Sequence, residues 1–116
     1  MAQLVNVERA KARLFPVTLD TTLSKAAQVR AKETVSYFSH TRPNGSTFSS
    51  AITEHGISFR GAGENIAYGQ KTPQEVMNGW MNSAGHRANI LNANFTKIGV
   101  GYYPVSYTHL PSPRDK

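Results

Sequence analysis

The chain has no cysteine among its 116 residues, so a hydrophobic core has to hold it together without disulfide staples. At this length one domain buries enough apolar surface to do so, with no room for a second module. The same absence removes thiol nucleophiles and thiolate-bound metals. Histidines, carboxylates, amides and hydroxyls are what remain for chemistry.

The formal net charge is +6, but the basic residues are scattered rather than clustered with aromatics. That pattern argues against a nucleic-acid partner and implies a general attraction to anionic surfaces such as cell wall. Arg9, Lys11 and Arg13 alternate around the first helix and read as a solvated face. No apolar stretch is long enough for a membrane span, and the first residues carry no signal-peptide pattern.

Periodicity predicts four helical pieces and a few strands. Leu4, Val7 and Leu14 give a first helix closed by Pro16. Asp20 is placed to cap a longer helix lined by Leu23, Ala27, Ala31, Thr34 and Phe38. Asn44-Gly45 is a turn, and Ser46 is placed to cap a short helix that Gly56 ends. Ile57-Ser58-Phe59 reads as extended, and residues 64–68 as a strand after the Gly61-Ala62-Gly63 bend. Thr72-Pro73-Gln74-Glu75 is a capping box with proline at the first helical position. Val76, Met77 and Trp80 form the apolar stripe of the helix it starts. Ser83 is placed to cap the next helical piece, and Ile98, Val100 and Tyr102 share one face of a last strand. The fold class is α+β, with helices packed on a small antiparallel sheet. Trp80 and the Tyr102-Tyr103 pair read as packing residues.

Three segments carry the candidate chemistry: Ser39-His40-Thr41-Arg42-Pro43-Asn44-Gly45, Gly61-Ala62-Gly63-Glu64-Asn65-Ile66-Ala67, and Gly85-His86-Arg87-Ala88-Asn89-Ile90-Leu91. Taken singly, His40 reads as a turn histidine, Glu64 as a surface carboxylate and His86 as a helix-end group. His55 precedes the helix-ending Gly56, where a cationic side chain favours the helix C-terminus. Neither Ser39 nor Ser83 stands in a nucleophile elbow, which argues against a serine hydrolase.

These segments, with Leu4-Val5-Asn6-Val7-Glu8-Arg9, Trp80 and Phe95-Thr96-Lys97-Ile98-Gly99-Val100-Gly101, follow one another in a familiar order. The chain resembles the CAP superfamily (cysteine-rich secretory proteins, antigen 5, pathogenesis-related 1), in its small cysteine-free bacterial form. The resemblance implies a three-layer α-β-α sandwich and an extracellular or cell-surface location. It also implies a cleft of His40, Glu64 and His86, with Asn65, Arg87 and Asn89 supporting it. Many relatives carry a second acidic residue three positions after the tryptophan. Here that position is Ser83, so a paired-carboxylate mechanism lacks one partner.

Three functions follow from the resemblance. One is a binding module for an unidentified ligand, such as a cell-wall component. Another is a zinc-dependent hydrolase with the metal on His40 and His86 and Glu64 activating water. The third is a lipid or sterol carrier. Any zinc is expected to bind weakly and to be dispensable for folding.

Residues 105–110 read like one translated frame of a sequencing-library adaptor, and residues 111–115 like its continuation in a neighbouring frame. The expectation is a domain over residues 1–104 with its last strand missing, followed by a loosely placed, non-native tail over 105–116.

Overall fold

A computed structural model describes residues 1–68 and 70–103 and the backbone of residues 106–110. The elements run α1 (Ala2–Lys11), β1 (Thr18–Leu19), α2 (Thr21–Ser36), α3 (Ser49–Glu54) and β2 (Asn65–Tyr68). They continue with α4 (Pro73–Met81), α5 (Ala84–Ile90), β3 (Lys97–Tyr103) and β4 (Ser106–Leu110).

Strong local signals set the two clearest helix starts. The Asp20 carboxylate accepts the Leu23 N–H at 2.8 Å and opens α2. Thr72 Oγ1 accepts the Glu75 N–H at 3.1 Å and opens α4. The Glu75 carboxylate turns to the Lys71 N–H, one residue before the cap. Gly56, at φ 76°, ends the turn after α3.

The four strands lie in the order β1-β3-β4-β2. β1 runs parallel to β3, while β4 is antiparallel to both β3 and β2. The sheet is therefore mixed, because the two-residue β1 adds a parallel edge that no sequence periodicity marked. β4 sits between β3 and β2, with residue 109 opposite both Val100 and Asn65. This corrects the expectation that the last strand is missing. Residues 104, 105 and 111–116, on which the loose-tail expectation also fell, lie outside the described residues.

Each face of the sheet has its own core. Leu23, Ala26 and Ala27 of α2 pack with Phe48, Ala51 and Ile52 on one side. On the other, Val5, Val76, Met77, Trp80 and Ile90 close over Ile98 and Ala67. Two cores and three layers make this the expected α-β-α sandwich. The α2 layer comes very close to β3, for a Cβ on Gly99 would meet the backbone of Leu23 and Ser24. One on Gly101 would meet the backbone of Ala27 and Gln28. Gln28 then seals part of the outer edge of β3, donating to the Tyr102 carbonyl at 2.7 Å and accepting its N–H at 2.9 Å.

Several local expectations are corrected. The buried face of α1 carries Val5 and Arg9, and Val7 is half exposed. Phe38 lies past the end of α2 and is exposed, as are Tyr102 and Tyr103. Ser46 hydrogen-bonds Asn44 and Ser50 instead of capping α3, and Ser83 makes no side-chain cap on α5. Residues 57–59 join no strand.

Candidate functional site

Glu64 immediately precedes β2, and its side chain is wholly buried. A carboxylate there needs a cation and hydrogen bonds to offset desolvation. Arg30, from the middle of α2, supplies both. Its Nε donates to Glu64 Oε2 at 2.8 Å and its Nη2 to Oε1 at 2.9 Å, a two-point pair. His40 Nδ1 lies 2.8 Å from the same Oε1. With a carboxylate as acceptor, Nδ1 is the donor. The other ring nitrogen, Nε2, is buried without a hydrogen-bond partner.

Arg30 also ties the site to a second ring of charge. Its Nη1 donates to Glu33 at 2.8 Å and its Nη2 to the Ser39 carbonyl at 2.6 Å. Glu33 in turn binds Arg42, which reaches Glu54 at 2.9 Å. Burial pushes the Glu33 carboxyl up, but the hydrogen bonds and charges of Arg42 and Arg30 outweigh it and hold it below the usual range. For Arg30 burial acts downward, and Glu64 followed by Glu33 raises it overall. The turn bearing His40 is thus fastened to α2 and α3 by ion pairs.

The asparagines complete the network. The Asn65 side-chain amide donates to the His86 carbonyl at 3.1 Å. Asn89 donates to the Glu64 carbonyl at 3.3 Å and to Asn65 Oδ1. Both are buried. Arg87 differs: it is exposed and donates to the Met81 carbonyl at 3.2 Å, away from the carboxylate.

The three expected site residues are therefore joined in two ways. His40 and Glu64 touch through their side chains. The backbone of His86 is tied in through Asn65, while its ring stacks on Trp80 with centroids 6.4 Å apart. That ring lines a groove of about 720 Å³ with Phe38, Tyr68, Gln70, Trp80 and Ser83. Among the described residues, no three His, Asp or Glu side chains gather as a metal-holding group. Both Glu64 oxygens are engaged, and the Arg30 guanidinium beside them repels a cation. The donor set does not fit a zinc held by all three residues.

A family model described as CAP, the cysteine-rich secretory protein family, matches residues 2–109. The chain belongs to the CAP family. It is 52% identical over 105 residues to the uncharacterized protein YkwD of Bacillus subtilis, covering 88% of this chain and 40% of that protein. It is 34% identical over 107 residues to the uncharacterized membrane protein YlbC of the same organism, covering 90% of this chain and 31% of that one. The chain thus spans less than half the length of these relatives. Among solved structures, it matches an extracellular SCP-domain protein of Bacillus anthracis at TM-score 0.90 and 33% identity, over 97% of this chain and 40% of the other. An outer surface protein of Borrelia burgdorferi matches at TM-score 0.84 and 26% identity, over 98% of this chain and 90% of the other.

Two structural residues of this CAP domain escape a reading by motif. Arg30 sits in a helical stretch where an arginine looks solvated, yet its side chain is fully buried. A charged residue among Ala26, Ala27, Ala31 and Thr34 on the buried face was the signal available. Arg9 is likewise buried, which corrects its assignment to a solvated face. It donates to the carbonyls of Phe15 (2.8 Å), Ile90 (2.9 Å), Asn92 (2.9 Å) and Phe95 (3.3 Å). His55 Nδ1 lies 2.7 Å from the Ala51 carbonyl at the end of α3.

Proposed function

We propose that this CAP domain is an extracellular or cell-surface binding module, whose ligand enters the groove lined by His86. The observation that carries this reading is the engagement of both Glu64 oxygens by Arg30 and His40. A general base needs a lone pair within reach of the water it activates, and this carboxylate is turned inward. Glu64 then acts as an anchor that fixes the His40 turn against α2. The extracellular and outer-surface descriptions of the Bacillus anthracis and Borrelia proteins support the location. Among the described residues, no helix is long and apolar enough to cross a membrane.

The competing reading is a hydrolase with zinc on His40 and His86, favoured by the unpartnered Nε2 of His40. Zinc titration by calorimetry, combined with a turnover screen over ester, amide and glycoside substrates, separates the two. A binding module shows saturable ligand binding without turnover. Metal-dependent hydrolysis that disappears in His40→Ala and His86→Ala while both variants remain folded would overturn the proposal.

A further inference from the structure

The groove lined by His86 has a particular chemistry. No Asp, Glu, Lys or Arg is among the described residues that line it, although the chain carries a net charge of +6. A site for a phosphate, a sulfate or an anionic lipid headgroup would place one of those cations inside. Phe38 and Tyr68 stand at the groove, 43% and 53% exposed, in edge-to-face contact with centroids 6.1 Å apart. Solvent-facing aromatic rings of this kind offer faces on which an apolar ligand surface can stack. Gln70 contributes a side-chain oxygen that is buried and has no hydrogen-bond partner, an acceptor waiting for a donor. Ser83 and His86 add polar groups to the lining.

A peptide entering by strand addition needs a free sheet edge. β2 is the edge strand on this side. The Trp80 indole N–H already donates to the Ile66 carbonyl at 3.2 Å, which occupies an acceptor of β2. We propose that the groove binds a neutral, N-acetylated saccharide of the kind found in cell-wall glycan strands. The C–H face of a sugar ring stacks on Phe38 and Tyr68, and an acetamido N–H or a ring hydroxyl donates to Gln70. This names a ligand class for the module and rests on the reading of the groove as its binding site.

The test is titration of the intact chain with soluble oligomers of N-acetylglucosamine, followed by calorimetry and by NMR shifts of the Trp80 indole. Vesicles of phosphatidylglycerol and a neutral tripeptide are titrated in parallel. Saturable oligosaccharide binding, weakened about tenfold or more in Tyr68→Ala and in Gln70→Leu with unchanged circular dichroism, is expected. Both residues line the groove, and Phe38→Ala supplies a third variant if either fails to fold. Vesicle or peptide binding that shifts the Trp80 indole, with no response to the oligosaccharide, would overturn the saccharide and leave the module standing. Turnover of the oligosaccharide would overturn the module reading itself. Oligosaccharide binding indifferent to all three substitutions would place the sugar elsewhere and sink the proposal.

Discussion

Arg30 and Glu64 form a fully buried two-point ion pair, with Nε–Oε2 at 2.8 Å and Nη2–Oε1 at 2.9 Å, across 34 positions of sequence. The pair joins the central helix to the start of an edge strand, and His40 hangs from the same carboxylate. The His40 imidazole is therefore held by the carboxylate of the ion pair as well as by the turn that carries it, which Arg42 fastens to Glu33 and Glu54.

Removing one partner of such a pair leaves an uncompensated buried charge, at a cost of about 3–5 kcal/mol. Arg30→Met should lower stability by that order in urea unfolding. Arg30→Met combined with Glu64→Leu should recover part of the loss, because no charge is then stranded. A double variant no more stable than the single one would mean that the pair's hydrogen bonds to the Ser39 segment, rather than its charge balance, hold this region.

The acid limb of stability should report Glu33. Its carboxyl is held below its ordinary value of 4.5 in the folded protein. The folded state therefore binds this proton less readily than the unfolded chain. The stabilisation is fully present above that ordinary value and is lost as pH falls below it, through the folded pKa. Thermal melts from pH 7 downward should show the decline. Glu33→Gln should be less stable at neutral pH and lose less on acidification; parallel acid limbs would exclude Glu33 as a cause.

Arg9 joins the four carbonyls of Phe15, Ile90, Asn92 and Phe95. Burial without a carboxylate partner pushes its pKa down. Arg9→Met keeps much of the volume but strands buried acceptors, each costing about 1–3 kcal/mol where water cannot replace the donor. A loss of several kcal/mol is expected, with hydrogen exchange rising first in α5 and residues 90–95. Arg9→Lys should rescue little, since one ammonium cannot span the fork. Near-complete rescue by lysine would show that charge alone is what matters there.

The position of β4 predicts the effect of truncation. It is the only described strand that connects β2 to β3. A chain ending at Tyr103 loses backbone pairing on both and opens two strand edges. Cooperative thermal unfolding should disappear, with association visible in size-exclusion chromatography. An unchanged melting temperature would mean that residues 106–110 add nothing to the sheet.

Much of the local structure was legible from residue type and spacing. Asp20 and Thr72 announce their helices because a side-chain acceptor beside the first N–H groups works without tertiary help. Val76, Met77 and Trp80 mark a buried stripe by period alone. The first helix was harder. Val5 and Arg9 also lie four residues apart, but a charged residue on an apolar face looks like solvent until its four distant carbonyls are placed. β1 was invisible because two residues carry no periodicity.

For the candidate site, the sequence by itself determined which groups were available: two imidazoles, one carboxylate, two asparagines and no thiol. Family order marked His40, Glu64 and His86 as belonging together. Only the tertiary structure decided what each side chain meets. It brought Arg30 under Glu64, turned both carboxylate oxygens inward, and left the His86 ring against Trp80 at a groove with no Asp, Glu, Lys or Arg among its described lining residues. The physical reason is that burial and pairing are relations between distant segments. A carboxylate has the same character in any sequence, and it becomes an anchor or a base only when the fold chooses its neighbours.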